Sequence, residues 1–264
     1  MDLQLQDKII VVTGGAKGIG YGIVKKLAQE GAMPVIVGRD HADNEKVVDQ
    51  LKSMELNACH FVAELSDPEE CRRVVNEIIQ HHGRINGLVN NAGLNDGVSL
   101  ENGNYDDFIK SLHRNLVHYY LITHYALPEL KKTKGSILNI SSKVADVGQG
   151  GTSAYAASNG GRNALTREWA VELLKYGLRV NAIVVGECWT PQYASWIKTL
   201  PDAENALEKI TSKIPLENRM TTIEEIADTA VFLLSPRSSH TTGQLIYIDG
   251  GYVHLDRALL NSSK

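Results

Sequence analysis

The chain alternates short β-branched runs with longer segments of helical period, and this restricts it to a parallel sheet covered by helices on both faces. "KIIVVTG" (8–14) leads into "GYGIVKKLAQEG" (20–31), where Ile23, Val24, Leu27 and Ala28 form one stripe and Gly31 stands like a C-cap. Strand "MPVIVG" (33–38), a helix ending near Met54, strand "ACHFVA" (58–63) and helix "DPEECRRVVNEIIQHHG" (67–83) follow, with Pro68 in the first turn behind Asp67 as N-cap. "INGLVNN" (85–91), "GSILNIS" (135–141), "LRVNAIV" (178–184) and "QLIYID" (244–249) read as four more strands. Between them lie helices from about Tyr105 to Lys132, from about Thr152 to Tyr176, and over "TIEEIADTAVFLLS" (222–235). The segment from about Val185 to Leu216, with Trp189, Tyr193, Trp196 and three prolines, breaks the alternation after a strand's carboxyl end. Ligands bind at that end of open α/β sheets, so a mobile flap over a substrate is expected there.

A chain of 264 residues buries about three quarters of the surface its unfolded form exposes, enough for one large α/β domain. No repeats or linkers divide it, so residues 1–264 are read as a single domain. The 27 Lys and Arg against 31 Asp and Glu leave a net charge of -4 with no basic cluster, which speaks against nucleic acid as a partner. The start, "MDLQLQDKIIVVTGG", carries a charge directly after Met1 and an apolar run only from Ile9 to Val12. That run is too short for a secretion signal or a membrane span, so no membrane partner and a cytoplasmic location are expected. Cys59, Cys71 and Cys188 are odd in number and far apart, and the histidines, His81-His82 included, lack ligand spacing; neither a disulfide framework nor a metal site is expected.

"TGGAKGIG" (13–20) joins the first strand to the first helix. Gly14 permits the tight turn, Gly18 lets backbone approach a pyrophosphate, and Gly20 lets helix and strand pack closely, while Ile19 and its neighbours present N–H donors at the helix N-terminus. A glycine-rich turn at this junction of an alternating chain points to a dinucleotide. An acidic residue ending the second strand would hold the ribose hydroxyls; Gly38 and Arg39 stand there instead, and Lys17 sits in the phosphate loop. Two cations near the 2′ position favour NADP, and Asp40 close by leaves NAD open.

With "TGGAKGIG", "NNAG" at 90–93, Asn115 in "HRNL", "NISS" at 139–142 and Tyr155 thirteen residues after Ser142, the whole chain resembles the short-chain dehydrogenase/reductase family. The segments "NNAGLNDGVSL" (90–100), "NISSKVADVGQGGTS" (139–153), "ALTREWAVEL" (164–173), "FLLSPRSSHTTGQ" (232–244) and "DGGYVHLDRALL" (249–260) resemble the branch of that family containing L-fucose dehydrogenases, which oxidise an aldose to a lactone. The resemblance implies a single-domain, Rossmann-type, doubly wound, seven-stranded parallel α/β sheet, a homotetramer, and hydride passage between nicotinamide and a carbinol or carbonyl carbon. It implies that Ser142 orients the reacting oxygen, that Tyr155 exchanges its proton, and that Asn115 matches the residue holding a water in the proton relay. It further implies that Asn90, Asn91, Ala92 and Gly93 flank the cofactor and that Thr190 contacts its carboxamide. Glu64 and Leu65, after the third strand, count with them as cofactor residues.

Two positions depart from the family pattern. Val185 replaces a proline before Gly186, and Asn159 stands four residues after the tyrosine, where the family has lysine. Positions 155 and 159 share a helix face with Cβ atoms about 6 Å apart. The family's lysine hydrogen-bonds the nicotinamide ribose and favours the ionised phenol. A unit charge about 6 Å away at an effective dielectric of about 20 contributes roughly 3 kcal/mol, so its loss costs on the order of 100-fold in tyrosinate. Asparagine keeps the ribose hydrogen bonds without the charge, and Asn159→Lys is expected to move the pH–rate profile toward neutrality by about two units.

Three readings follow. In the first, a sugar dehydrogenase works with help from another cation such as Lys143 beside Ser142; the others are a non-catalytic NADP-binding or regulatory protein and a reductase of ketoacyl thioesters or other carbonyls. A sugar calls for many short polar contacts, and Asn95, Asp96, Lys143, Gln149 and Glu187 lie in segments expected to converge on the cleft. The adjacent Gly160 and Gly161 inside a helix cost about 1 kcal/mol each relative to alanine, so close approach of another backbone, at a subunit interface as the resemblance implies, is the expected compensation.

Overall fold

Every residue of β1 (Ile9–Thr13) is buried, a condition met only inside a sheet covered on both faces. Alternation sends Ile10 and Val12 to one face and Ile9 and Val11 to the other, and each pair joins a separate core. The remaining strands are β2 (Met33–Gly38), β3 (Cys59–Val62), β4 (Gly87–Asn90), β5 (Ser136–Ser142), β6 (Arg179–Val185) and β7 (Leu245–Ile248). All pair in parallel in the order β3-β2-β1-β4-β5-β6-β7, with Val11 opposite both Val35 and Leu88. The structure, a computed structural model, describes residues 1–256.

Nine helices are described: α1 (Gly18–Gln29), α2 (His41–Lys52), α3 (Pro68–His82), α4 (Tyr105–Leu112), α5 (His118–Thr133), α6 (Ser153–Glu172), α7 (Pro191–Ile197), α8 (Ala203–Thr211) and α9 (Ile223–Leu234). Ile23 and Leu27 of α1, Leu51 of α2 and Val231 of α9 fill one core. Val74 and Ile78 of α3, Tyr119 and Ile122 of α5 and Trp169 of α6 fill the other. This is the doubly wound, seven-stranded, single-domain fold that the sequence implied. The expected boundaries of β2 hold to the residue. Asp67 caps α3, its carboxylate accepting from Glu69 N–H at 2.8 Å with Pro68 in the first turn.

One expected helix is not uniform. The segment read as continuous from Tyr105 to Lys132 is split by a π-helical turn, His113–Val117, which contains Asn115. The segment after β6 carries α7 and α8, and α8 buries none of its residues. Among the described residues, no helix is long and apolar enough to cross a membrane, and no group of three or more His, Cys, Asp or Glu could hold a metal ion.

Candidate active site

The strand order reverses between β1 and β4, and the carboxyl ends of the central strands open there into a cleft of about 830 Å³. Gly14 at φ +65° and Gly18 at φ +54° adopt left-handed conformations that a side chain would strain. A Cβ on Gly20 would stand 2.2 Å from the Gly14 carbonyl oxygen, so α1 reaches the loop only with glycine at this position. Asp40, Asp67 and Asn104 cap α2, α3 and α4 with side-chain acceptors, whereas Lys17 at the N-cap of α1 provides none. The first N–H groups of α1 are left unspent where Gly18 and Ile19 line the cleft. A cradle of glycines with free donors fits a dinucleotide pyrophosphate.

Thr13 and Asn91 hold that cradle in place. Thr13 Oγ1 accepts from the N–H groups of Asn91 (2.9 Å) and Ala92 (3.1 Å), and Asn91 Nδ2 donates to the carbonyls of Thr13 (2.9 Å) and Gly14 (3.2 Å). Ala92 and Gly93 then line the cleft. Asn90, expected beside the cofactor, is instead buried in the core, where its amide donates to Thr123 Oγ1 and Asn139 Oδ1, both at 3.0 Å. Around the end of β2, Lys17 pairs with Asp43, and Arg39 lies 3.8 Å from Glu64. Burial pushes the Glu64 carboxyl up, but the Ser66 N–H and hydroxyl and the Arg39 charge together hold it below its ordinary value. Leu65 and Thr190 complete this wall, and Thr190 also caps α7 by accepting from Tyr193 N–H at 3.1 Å.

Ser142 ends β5, Tyr155 lies in the first turn of α6, and both line the cleft. Lys143, the helping cation that the sequence offered, is paired with a carboxylate. It is buried on the turn after β5, in an ion pair with Glu187 and with its ammonium 3.9 Å from the centre of the Tyr252 ring. Tyr193 of α7 also hydrogen-bonds Glu187, and burial followed by that carboxylate raises its phenol above the ordinary range. Of the five residues expected to converge on the cleft, the structure pairs Lys143 with Glu187, whereas Asp96 accepts from Ser111 Oγ at 2.9 Å and pairs with Arg114 at 3.2 Å, and none of these three lines the cleft itself. Asn95 accepts from Gly97 N–H at 3.3 Å and Gln149 is exposed on a loop; neither lines the cleft.

Asn159 is fully buried and does not line the cleft, so it is not placed to keep the ribose hydrogen bonds. Its Nδ2 donates to the Tyr155 carbonyl at 2.8 Å, and its Oδ1 accepts from Arg162 Nη1 at 3.0 Å. Arg162, one turn further along the same face, is 3% exposed and does line the cleft. Its Nε donates to the Asn115 carbonyl (2.7 Å) and its Nη1 to the Ile140 carbonyl (3.1 Å), with Cζ 4.3 Å from the Tyr119 ring centre and 5.9 Å from that of Tyr155. Asn115 itself accepts from Leu94 N–H at 2.8 Å and donates to Ser111 Oγ at 3.2 Å. Neighbouring His118 is driven down to about 3 by burial, then by the Arg162 charge, and stays neutral. Sequence reasoning missed Arg162; the signal was its place three residues after Asn159, on the face shared with Tyr155.

A family model described as enoyl-(acyl carrier protein) reductase matches residues 14–253. An L-fucose dehydrogenase of Bos taurus is 35% identical over 95% of this chain and 91% of its own length. A 3-oxoacyl-[acyl-carrier-protein] reductase FabG of Thermotoga maritima is 36% identical over 95% of this chain and its entire length. The crystal structure of Cj0485 dehydrogenase superposes with a TM-score of 0.93 at 48% identity, covering 98% of this chain and 99% of that one. Matches that span the glycine cradle, the cleft and the whole sheet leave one assignment: the chain belongs to the short-chain dehydrogenase/reductase family and is an NAD(P)-dependent oxidoreductase.

Proposed function

We propose that the chain oxidises an aldose such as L-fucose at its anomeric carbon to the lactone, using NADP. The observation that carries this reading is the Lys143–Glu187 pair, which follows Ser142 in sequence, packs on the Tyr252 ring and bonds to Tyr193, a residue that lines the cleft with Ser142. A pyranose presents neighbouring hydroxyls to such a charged pair and C–H faces to such rings, and the likeness to the bovine L-fucose dehydrogenase supports the same class. The bound nicotinamide supplies the hydride acceptor. Ser142 Oγ orients the anomeric hydroxyl, and the Tyr155 phenolate takes its proton as the carbon–hydrogen bond breaks. Lys17 and Arg39 at the end of β2 support a 2′-phosphate, although Asp43 and Glu64 beside them reduce the contrast with NAD. A homotetramer packed through α6 is part of the same proposal, supported by exposed Val171 and Leu174 and by Gly160 facing open space.

The equal likeness to the Thermotoga maritima reductase makes reduction of a 3-oxoacyl thioester the second reading. NADP reduction with L-fucose and a panel of aldoses, measured beside NADPH oxidation by a 3-oxoacyl thioester, separates the two. Turnover of an aldose is expected, and turnover of the thioester alone would overturn the sugar assignment. NADPH binding with neither turnover would favour a non-catalytic NADP-binding or regulatory protein.

A further inference from the structure

We infer that Arg162 supplies the cation that position 159 lacks: its guanidinium favours the phenolate of Tyr155, and its unpartnered Nη2 is the donor offered to the cofactor's nicotinamide-side ribose. This rests on the reading that the site is catalytic, but not on which substrate it takes.

The argument begins with an unpaid cost. Burying a guanidinium is expensive unless a carboxylate or a full set of hydrogen bonds compensates it. Among the described residues, no carboxylate lies within ion-pair distance of Arg162. Two carbonyls, one amide oxygen and the face of Tyr119 hold the group, and its Nη2 is buried with no partner among the described residues. That orphan nitrogen lies on the cleft side, where a Cβ on Gly93 would meet it at 2.9 Å. A buried cation held by neutral groups, with one unpaired donor against Gly93 in the wall of a ligand cleft, is arranged to act on what enters the cleft.

Its surroundings are built for it. Arg162 Nε donates to the carbonyl of Asn115, which lies within the π-helical turn His113–Val117. Asn159 is short enough to accept from Arg162 Nη1, whereas a lysine there would press a second charge against the guanidinium. Among the described residues, the charged and titratable groups of the elements around Tyr155 leave Arg162 as the cation without a carboxylate partner, since Arg114, which also lines the cleft, pairs with Asp96 at 3.2 Å. Tyr119 on α5 is kept protonated, chiefly by burial, His118 on α5 is neutral, and Lys143 after β5 is tied to Glu187 after β6. The guanidinium carbon stands 5.9 Å from the centre of the Tyr155 ring, and a unit charge about that far from an ionising oxygen, at an effective dielectric of about 20, changes its equilibrium on the order of 100-fold.

The test compares the native chain with Arg162→Met, Arg162→Lys and the swap Asn159→Lys/Arg162→Met, each also carrying Tyr155→Phe as a blank. The ultraviolet difference between each protein and its blank titrates the Tyr155 phenol without cofactor or substrate, and NADPH fluorescence reports binding. Arg162→Met is expected to move the titration about two pH units alkaline and to weaken NADPH binding at least tenfold. The swap is expected to recover both. Arg162→Lys keeps a charge in the cavity and guards against loss of folding in the methionine variant. Folded Arg162→Met with native titration and native NADPH binding overturns the inference, as does a folded swap protein that titrates like Arg162→Met. Absence of aldose turnover by the native chain, with the titration moving as expected, would overturn the substrate reading and leave this one standing.

Discussion

Lys143 and Glu187 are the residues at which binding and stability can be pulled apart. Their side chains are 7% and 15% exposed, so removing one partner leaves a buried charge uncompensated. Glu187→Leu is expected to cost about 3–5 kcal/mol in urea unfolding, and Lys143→Met/Glu187→Leu clearly less, because the double change removes both charges together. Both proteins should raise KM for the proposed aldose substrate more than they lower kcat; equal stability of the single and double variants would contradict a coupled pair. His118 gives a pH signature of its own. Its folded value of about 3 lies below the unfolded value of about 6.5, so the unfolded chain binds more protons between them. Stability from this group is complete above about pH 6.5 and is lost as pH falls toward 3, with a slope of up to about 1.4 kcal/mol per pH unit. His118→Gln retains a donor for the Arg114 carbonyl, bonded at 2.9 Å in the native chain, without the titration. Urea midpoints measured from pH 7 to pH 4 should therefore fall less steeply for the variant, and parallel curves would rule out the effect.

The contact between α6 and the π-helical turn sets the position of Arg162, and Gly161 is where it can be disturbed. An added Cβ there would meet Leu116 Cδ2 at 2.8 Å. Gly161→Ala gains about 1 kcal/mol of helix propensity and loses about 1–3 kcal/mol to overpacking, so its net effect on stability is small. The strain falls on Leu116, beside the carbonyl that holds Arg162, and kcat/KM is expected to drop about tenfold with little change in Tm; unchanged kinetics would show that the turn is not under tension. Elements of this molecule were legible where local chemistry and burial agree. β2 is a buried β-branched run, and α3 has Asp67 and Pro68 at its start and Gly83, at φ +70°, past its end. The π turn was not legible, because one extra residue per turn leaves the apolar pattern from Tyr105 to Lys132 looking continuous. Arg162 stayed hidden for a related reason. A charged residue on a helix is ordinarily solvated, and only the tertiary approach of Asn115, Ile140 and Tyr119 makes this one a buried cation. Asn95 and Gln149 failed in the opposite direction, being polar residues in loops that reach the right end of the sheet without facing the cleft.

At the scale of the whole molecule, the sheet order carries the cleft, and the outward face of α6 carries what the single chain leaves unsatisfied. Gly161 is compensated within the chain by Leu116, but no described residue lies within 4 Å of a Cβ built on Gly160. Within one chain, then, Gly160 spends about 1 kcal/mol of helix stability for no contact. Further along the same helix Val171 is 70% exposed, and Leu174 beyond its end is 58% exposed. A second copy packed on this face would turn both the glycine and the apolar side chains into contacts, as the proposed tetramer requires. Sedimentation velocity of the native chain is expected to show a tetramer, and Val171→Glu a smaller species with unchanged circular dichroism. Gly160→Ala discriminates further: in a monomer it should stabilise by about 1 kcal/mol, whereas at a close helix–helix contact it should weaken assembly and make Tm fall with dilution. A native monomer whose Tm rises with Gly160→Ala would remove α6 as an interface, because the glycine would then answer to nothing outside its own chain.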